Sequence, residues 1–166
     1  QFLNDCQREW NVSFGDLHTT DCHELYSVTC DEHGMITELV FMGGNVSGNI
    51  PATVSALSQL TRMEIMNNQF SGSIPAEFGL LKNLIKLDMS YNQISGSIPD
   101  SFSGLRKLKY MYLYHNDLNG SIPTSLSSLT NLEYFDVKQN RLTGTIPDWI
   151  PDHPWLSWLD LRVNSL

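Results

Sequence analysis

Five histidines and cysteines lie close together near the start of the chain, and a metal site is the first chemistry that they suggest. They are His18, Cys22, His23, Cys30 and His33. Thiolate and imidazole bind zinc well, but no tidy Cys-x-x-Cys or His-x-x-x-His pair is present. Three cysteines in the whole chain suggest instead one disulfide and one leftover thiol. We therefore predict no metal site and no cofactor.

His115 is the other histidine in a position of interest, because it follows three tyrosines in the segment 108–116. Acid–base or nucleophilic catalysis needs a nucleophile, a base and a group that orients the base. His115 has no acidic or serine partner at a fixed spacing, and no other convergent set of this kind occurs. The sequence therefore predicts a protein that is not an enzyme.

The segment 108–116 itself reads as a short strand. Side chains alternate between the faces of a strand, so Tyr110, Tyr112 and Tyr114 point one way while Met111 and Leu113 point the other. On a buried face the tyrosines would need three buried hydroxyl partners. On a solvent face they form a rigid contact surface of the kind enriched at interfaces. The alternative is that tyrosine is simply a good strand former.

The elements around this strand follow from an internal repeat. An Ile-Pro pair recurs with a period of 24 residues, at 50–51, 74–75, 98–99, 122–123 and 146–147. A Ser, Asn or Thr followed by Gly stands three residues before each of these isoleucines. Upstream lies the frame Leu-x-x-Leu-x-Leu-x-x-Asn-x-Leu, clearest at 84–94 and 108–118. The chain is predicted to be a solenoid of leucine-rich repeats, with a cysteine-containing cap at 1–34 and five full units and a partial sixth at 35–166.

One residue of each unit is predicted to hold the repeats in register. Each strand stacks on its neighbour in a parallel sheet, and no unit can bury its apolar face alone. The frame asparagine is expected to turn inward and to satisfy loop backbone groups with both its donor and its acceptor. These structural asparagines are Asn68, Asn92, Asn116, Asn140 and Asn164.

The segment 84–99 resembles the repeat of plant-specific extracellular leucine-rich repeat proteins. The segment 21–31 resembles the cap of plant receptor-kinase ectodomains and polygalacturonase-inhibiting proteins. The resemblance covers nearly the whole chain and implies an α/β solenoid, a right-handed superhelix with a parallel concave sheet. It also implies second short strands at the Ser-Gly-x-Ile-Pro segments and a cap disulfide between Cys22 and Cys30, with Cys6 unpaired. The inhibitors usually carry about twice as many repeats and a C-terminal cap, which are departures from the pattern.

Charge and processing signals suggest an extracellular protein. The net charge of −8 argues against nucleic acid or an anionic membrane as the main partner. No apolar run approaches the length that spans a membrane. The chain begins at Gln1 without Met, as a processed secreted protein would. Glycosylation sequons begin at Asn11, Asn45 and Asn119, and we expect secretion to the apoplast or cell wall.

The repeat period also predicts which side chains share the concave face. One row is Glu38, Arg62, Lys86, Tyr110, Tyr134 and Trp158, and the next is Val40, Glu64, Asp88, Tyr112, Asp136 and Asp160. Aromatic anchors with a polar rim are typical of an interface. Stacking of the rings for sheet stability is the alternative. The predicted partner-binding residues are Met66, Asp88, Tyr91, Tyr110, Tyr112, Tyr114, His115, Tyr134, Asp136, Lys138, Trp158 and Asp160.

A second array of small polar residues follows the Ser-Gly-x-Ile segments. It comprises Ser47, Ser71, Ser95, Asn119 and Thr143, then Asn49, Ser73, Ser97, Ser121 and Thr145. Regular hydroxyls at strand spacing could order water, and one plant protein similar to the inhibitors is an antifreeze protein. The repeat consensus alone also explains this array, so ice binding is a remote alternative.

Three functions are therefore weighed. The first is a secreted recognition module, monomeric on its own, that resembles a polygalacturonase inhibitor and blocks such an enzyme with its concave face. The second is a receptor or co-receptor ectodomain that binds a peptide or a larger receptor. The third is ice binding.

Overall fold

The computed structural model describes residues 28–166, which form twelve strands and four short 3-10 helices. The strands are β1 Val28–Cys30, β2 Ile36–Val40, β3 Ser47–Asn49, β4 Arg62–Glu64, β5 Gln69–Ser73, β6 Lys86–Asp88, β7 Gln93–Gly96, β8 Tyr110–Tyr112, β9 Asp117–Gly120, β10 Tyr134–Asp136, β11 Arg141–Leu142 and β12 Trp158–Asp160. The helices are Ala52–Ala56, Ala76–Leu80, Asp100–Gly104 and Thr124–Ser128.

Seven strands form the concave sheet, in the order β1-β2-β4-β6-β8-β10-β12. All neighbours run parallel except β1, which pairs antiparallel with β2. Tyr110 lies opposite Lys86 on one side and Tyr134 on the other, in the register that the 24-residue period predicts. The predicted parallel solenoid is confirmed, because repeat-equivalent residues face one another across each pair of strands.

Five shorter strands form a second sheet, in the order β11-β9-β7-β5-β3. They coincide with the Ser-Gly segments before each Ile-Pro pair, so the predicted second strands are confirmed. Their register differs from that of the concave sheet, since Ser71 lies opposite Gln93 and not opposite its repeat equivalent Ser95.

The core runs between the two sheets and the convex helices. Leu84, Leu87 and Met89 of a single repeat are fully buried, and the same frame positions are buried in neighbouring units. Phe78 and Phe102 of successive 3-10 helices lie 6.3 Å apart between ring centroids. Each helix is only five residues long and follows a proline in an extended conformation, which explains why it remains a 3-10 turn.

The asparagine ladder is formed as predicted. Asn116 donates from Nδ2 to Met89 O at 2.9 Å and to Leu113 O at 3.1 Å, and its Oδ1 accepts from Ile94 N at 2.9 Å. Equivalent bonds recur at the other four positions. Because each amide joins two repeats, the side chains hold the period across the stack.

The two ends of the solenoid differ. Cys30 takes part in a disulfide, but Cys22, Cys6 and Asn11 lie outside the described residues, so the Cys22–Cys30 pairing remains a prediction. At the other end Trp149 packs against Phe135, with ring centroids 6.4 Å apart. None of the helices in residues 28–166 has the length and apolar character needed to cross a membrane.

Candidate functional site

The concave sheet presents the predicted aromatic face. Met111 and Leu113 are fully buried, whereas Tyr110, Tyr112 and Tyr114 on the opposite face are half-buried. The alternation predicted for this strand is therefore correct. The tyrosines are neither core residues nor freely solvated side chains.

The rings contact one another both within a repeat and across neighbouring repeats. Tyr110 lies 5.3 Å from Tyr134, and Tyr112 lies 6.5 Å from Tyr114 between ring centroids. Tyr114 in turn meets Tyr91 edge to face at 5.2 Å. Contacts of this kind contribute about 0.5–1.5 kcal/mol each. Ring contacts therefore stabilise the sheet, and the rings remain partly exposed to a partner.

Ion pairs occupy the N-terminal part of the concave face. Arg62 bridges Glu38 at 3.4 Å and Glu64 at 2.9 Å, and Lys86 also pairs with Glu64. Burial opposes ionisation of Glu64, but the hydrogen bonds from Arg62 and Lys86 outweigh it and lower its pKa. Lys86 Nζ also lies 5.8 Å from the ring centroid of Tyr112. The charges in this region are already compensated within the chain.

The pKa values of the two aspartates beside Tyr112 are raised, in contrast to that of Glu64. Burial raises the pKa of Asp88, which is only 6% exposed, and the hydroxyl and N–H of Ser90 offset this in part. Burial likewise raises the pKa of Asp136, against one hydrogen bond from Lys138 N at 3.0 Å. Neither carboxylate forms an ion pair with a side chain in residues 28–166. Both flank Tyr112 in register.

Asp160 at the end of the same row has its own cation. Hydrogen bonds from Arg162 at 2.6 Å and 2.9 Å lower the pKa of Asp160 to about 2, although burial opposes this. The outer carboxylates of the row, Glu64 and Asp160, therefore have ion-pair partners, whereas Asp88 and Asp136 interact with cations only at longer range.

The remaining predicted residues spread more widely over the surface. Met66 and Lys138 are half-buried at the edges of the aromatic cluster. Trp158 is 52% exposed on β12, the last strand of the sheet, in register with Tyr134. The sequon residues Asn45 and Asn119 are exposed, and their glycosylation remains a prediction.

One feature of the site was not predicted from the sequence. Tyr91 and His115 stack with ring centroids 4.3 Å apart, at the edge of a polar groove of about 470 Å³. The groove is lined by Asn67, Asn68, Tyr91, Asn92, Gln93, His115, Asn116, Asp117 and Gln139. The signal in the sequence was the residue before each ladder asparagine, a position whose side chains change from one repeat to the next.

The described part of the chain contains no group of three or more His, Cys, Asp or Glu side chains that could hold a metal ion. His18, Cys22 and His23 lie outside it.

Comparison with known sequences identifies the repeat. Two family models, both described as leucine rich repeat, match residues 52–118 and 131–152. Together they cover more than half of the 166 residues. None of the curated proteins matches the chain.

Solved structures of plant leucine-rich repeat proteins are similar over nearly the whole chain. The ectodomain of the receptor kinase SOBIR1 from Arabidopsis thaliana has a TM-score of 0.84 and 28% identity, over 98% of this chain and 90% of that one. The PEPR1–AtPEP1 complex has a TM-score of 0.89 and 30% identity, over 98% of this chain. A plant ice-binding protein has a TM-score of 0.87 and 31% identity, over 99% of this chain and 55% of that one.

This chain spans about a quarter of the PEPR1 chain, 24% of its length. The repeat frame, the matching family models and the shared fold agree with one another. The chain belongs to the leucine-rich repeat family, and it resembles the ectodomains of plant receptors.

Proposed function

We propose that this protein is a non-enzymatic recognition module that binds a protein or peptide partner through the concave aromatic patch. The patch comprises Tyr91, Tyr110, Tyr112, Tyr114, His115 and Tyr134, with Asp88 and Asp136 beside it. The observation that carries the proposal is a partly exposed aromatic cluster next to two carboxylates that form no ion pair within residues 28–166. Aromatic anchors of this kind dominate binding energy at protein interfaces.

The electrostatics of the patch favour a partner with basic side chains. The carboxylates of Asp88 and Asp136 are partly desolvated, so an incoming Lys or Arg would pair with them at a small additional desolvation cost. The ion pairs of Glu64 and Asp160 are already made, and those groups gain less from a new cation. A basic peptide or a basic groove on an enzyme has the required character.

Selection from a library of random displayed peptides tests this proposal. We expect enrichment of peptides that combine basic and aromatic residues. Tyr112→Ala/Tyr114→Ala should weaken their binding by about 2 kcal/mol, which is roughly 30-fold in Kd. Ser127→Ala, an exposed position on the convex side, is the matched control and should bind as the wild type does. Equal binding by the double variant would contradict the proposal.

Fold integrity must be checked in the same experiment. The two rings are half-buried, so the double variant should lose less stability than the roughly 3–5 kcal/mol that truncation of one core aromatic costs. Met111→Ala removes a fully buried side chain from the same strand and should melt well below the double variant. The reverse order would show that the patch belongs to the core.

Two versions of the partner are separable. The receptor version is supported by the resemblance to PEPR1, whose structure contains AtPEP1. The inhibitor version, with a polygalacturonase as the partner, rests on the sequence resemblance alone. Full activity of several fungal and plant polygalacturonases in an excess of this protein would exclude the inhibitor version.

Ice binding is a second candidate function, favoured by the similarity to the plant ice-binding protein. Ser73, Ser97 and Ser121 are exposed along the second sheet. Packing also explains these small residues, because a Cβ at Gly96 would lie 3.1 Å from the Cβ of Ser73. Inhibition of ice recrystallisation by the wild type, and its loss in Ser97→Arg, would favour this function.

A further inference from the structure

The turn before each ladder asparagine has an unusual backbone. Its residue has a positive φ in every described repeat: Gly43 (66°), Asn67 (56°), Tyr91 (52°), His115 (53°), Gln139 (52°) and Val163 (59°). Glycine and asparagine adopt this conformation readily, whereas other residues pay about 1 kcal/mol or more. The first two repeats use these two residue types, and the two central repeats carry aromatic rings instead. Histidine is also enriched at positive φ, whereas backbone preference does not explain Tyr91.

These turn residues form a regular row. Tyr91 N donates to Tyr114 O at 3.0 Å and His115 N donates to Lys138 O at 2.9 Å, which continues the parallel ladder through the turn. Successive side chains of the row therefore follow at about 4.8 Å, the spacing of paired strands. The stacked rings of Tyr91 and His115 occupy the centre, with the carboxamides of Asn67 and Gln139 on either side.

The row lines the polar groove together with Gln93, Asp117 and the ladder asparagines Asn92 and Asn116. Asp117 is paired with Arg141 at 2.6 Å, and the ladder amides donate to backbone carbonyls. The side-chain amides of Asn67, Gln93 and Gln139 make no hydrogen bond within residues 28–166.

We propose that this groove binds a neutral, linear oligosaccharide. A carboxamide both donates and accepts hydrogen bonds, so the side-chain amides of Asn67, Gln93 and Gln139 match the hydroxyl groups of a sugar. The exposed ring of Tyr91 offers an apolar face to the C–H groups of a pyranose. The spacing of the row is close to the advance of one sugar ring along a linear chain.

Alternative ligands fit less well. An extended peptide gains affinity from main-chain hydrogen bonds and from pockets for its side chains. The ladder amides and the backbone groups that they contact already hydrogen-bond to each other, and the exposed lining is mainly polar. An acidic sugar would meet no unpaired cation among the lining residues. The groove shares Tyr91 and His115 with the concave patch proposed above, but its carboxamide side chains lie outside that patch.

Saturation-transfer NMR and calorimetry with cellotetraose, xylotetraose and mannotetraose test the proposal. We expect saturation transfer from the protein to the ring protons of at least one of these three tetrasaccharides, with a Kd of the order of 1 mM. Trigalacturonate should bind more weakly. Tyr91→Gly and His115→Gly should each raise the Kd about tenfold. Both variants place in their repeats the residue that Gly43 already provides at a φ of 66°, so the turn conformation is retained. Ser127→Ala should bind as the wild type does.

Three results would overturn the assignment. They are no transfer to any neutral oligosaccharide at roughly 10 mM, tighter binding of trigalacturonate, and unchanged binding in the two Gly variants. If the Gly variants instead lose the peptides selected on the concave patch while no sugar binds, the groove belongs to the peptide surface. Failure of the sugar assay alone leaves the peptide experiment untouched, so the two proposals fail separately.

Discussion

The asparagine ladder yields a quantitative prediction, because the same side chain occurs in a central and in a terminal repeat. In Asn116→Ala, Ile94 N and Met89 O both lose the partner that Asn116 provides, at 2.9 Å in each case. Leu113 O also loses a bond of 3.1 Å. Asn164→Ala removes the equivalent bonds from Leu142 N, Val137 O and Leu161 O.

The two variants should differ in cost. Asn116 is 9% exposed between two complete repeats, so water has little access to the groups that it leaves. Asn92 and Asn140 still donate to Met89 O and Leu113 O, so Ile94 N is the group that is left without a partner. A buried polar group without a partner costs about 1–3 kcal/mol, and we expect a loss of about 2–3 kcal/mol for Asn116→Ala. Asn164 lies in the last described repeat and is less buried, so water can replace its bonds. We expect Asn164→Ala to cost about 1 kcal/mol.

Urea denaturation followed by tryptophan fluorescence measures both changes. Amide hydrogen exchange locates them, because a repeat array can unfold in parts and a single transition is not assured. Asn116→Ala should speed exchange in the repeats on both sides of the substitution, while Asn164→Ala should affect only the C-terminal end. Equal losses in the two variants, or a loss below about 1 kcal/mol for Asn116→Ala, would refute the argument from burial.

Two further predictions concern the C-terminal repeat. Val163 is β-branched, is 65% exposed and has a φ of 59°. Val163→Asn should therefore raise the free energy of unfolding, measured by urea denaturation, by about 1 kcal/mol. No gain in stability would mean that the turn is not strained. Asp160 has a pKa of about 2, below the ordinary value of 3.8. Its pairing with Arg162 therefore stabilises the fold above about pH 4, and this contribution is lost as the pH falls towards 2. Thermal melts between these pH values should show a shallower dependence on pH in Arg162→Ala, and an unchanged slope would exclude this ion pair as its source.

Much of the fold could be predicted from the sequence, because the period leaves little freedom. Each Ile-Pro pair and each ladder asparagine restarts the unit at the same point. The membership of a row therefore follows from counting, and Tyr110 lies between Lys86 and Tyr134 as predicted. The distinction between buried Met111 and half-buried Tyr112 follows equally from the alternation of a strand.

Only the tertiary structure decided which side chains of a row form ion pairs with one another. Arg62 and Lys86 form ion pairs with Glu64, whereas Asp88 and Asp136 form none within residues 28–166. This difference depends on rotamers and on distances across strands. The second sheet is shifted in register relative to the repeat, so counting residues gives the wrong neighbours there. Near the C-terminal end, Trp155 is 66% exposed whereas Trp149 packs against Phe135, a difference that the sequence does not indicate.

The polar groove illustrates the same division. The sequence by itself determined that Tyr91, His115 and Gln139 occupy equivalent positions, because they precede ladder asparagines in a strict period. Only the tertiary structure decided that this position has a positive φ and that the rings of Tyr91 and His115 stack on one another in a groove lined by carboxamides. The physical reason is that a turn conformation and a groove arise from contacts between repeats, which a one-dimensional pattern does not contain.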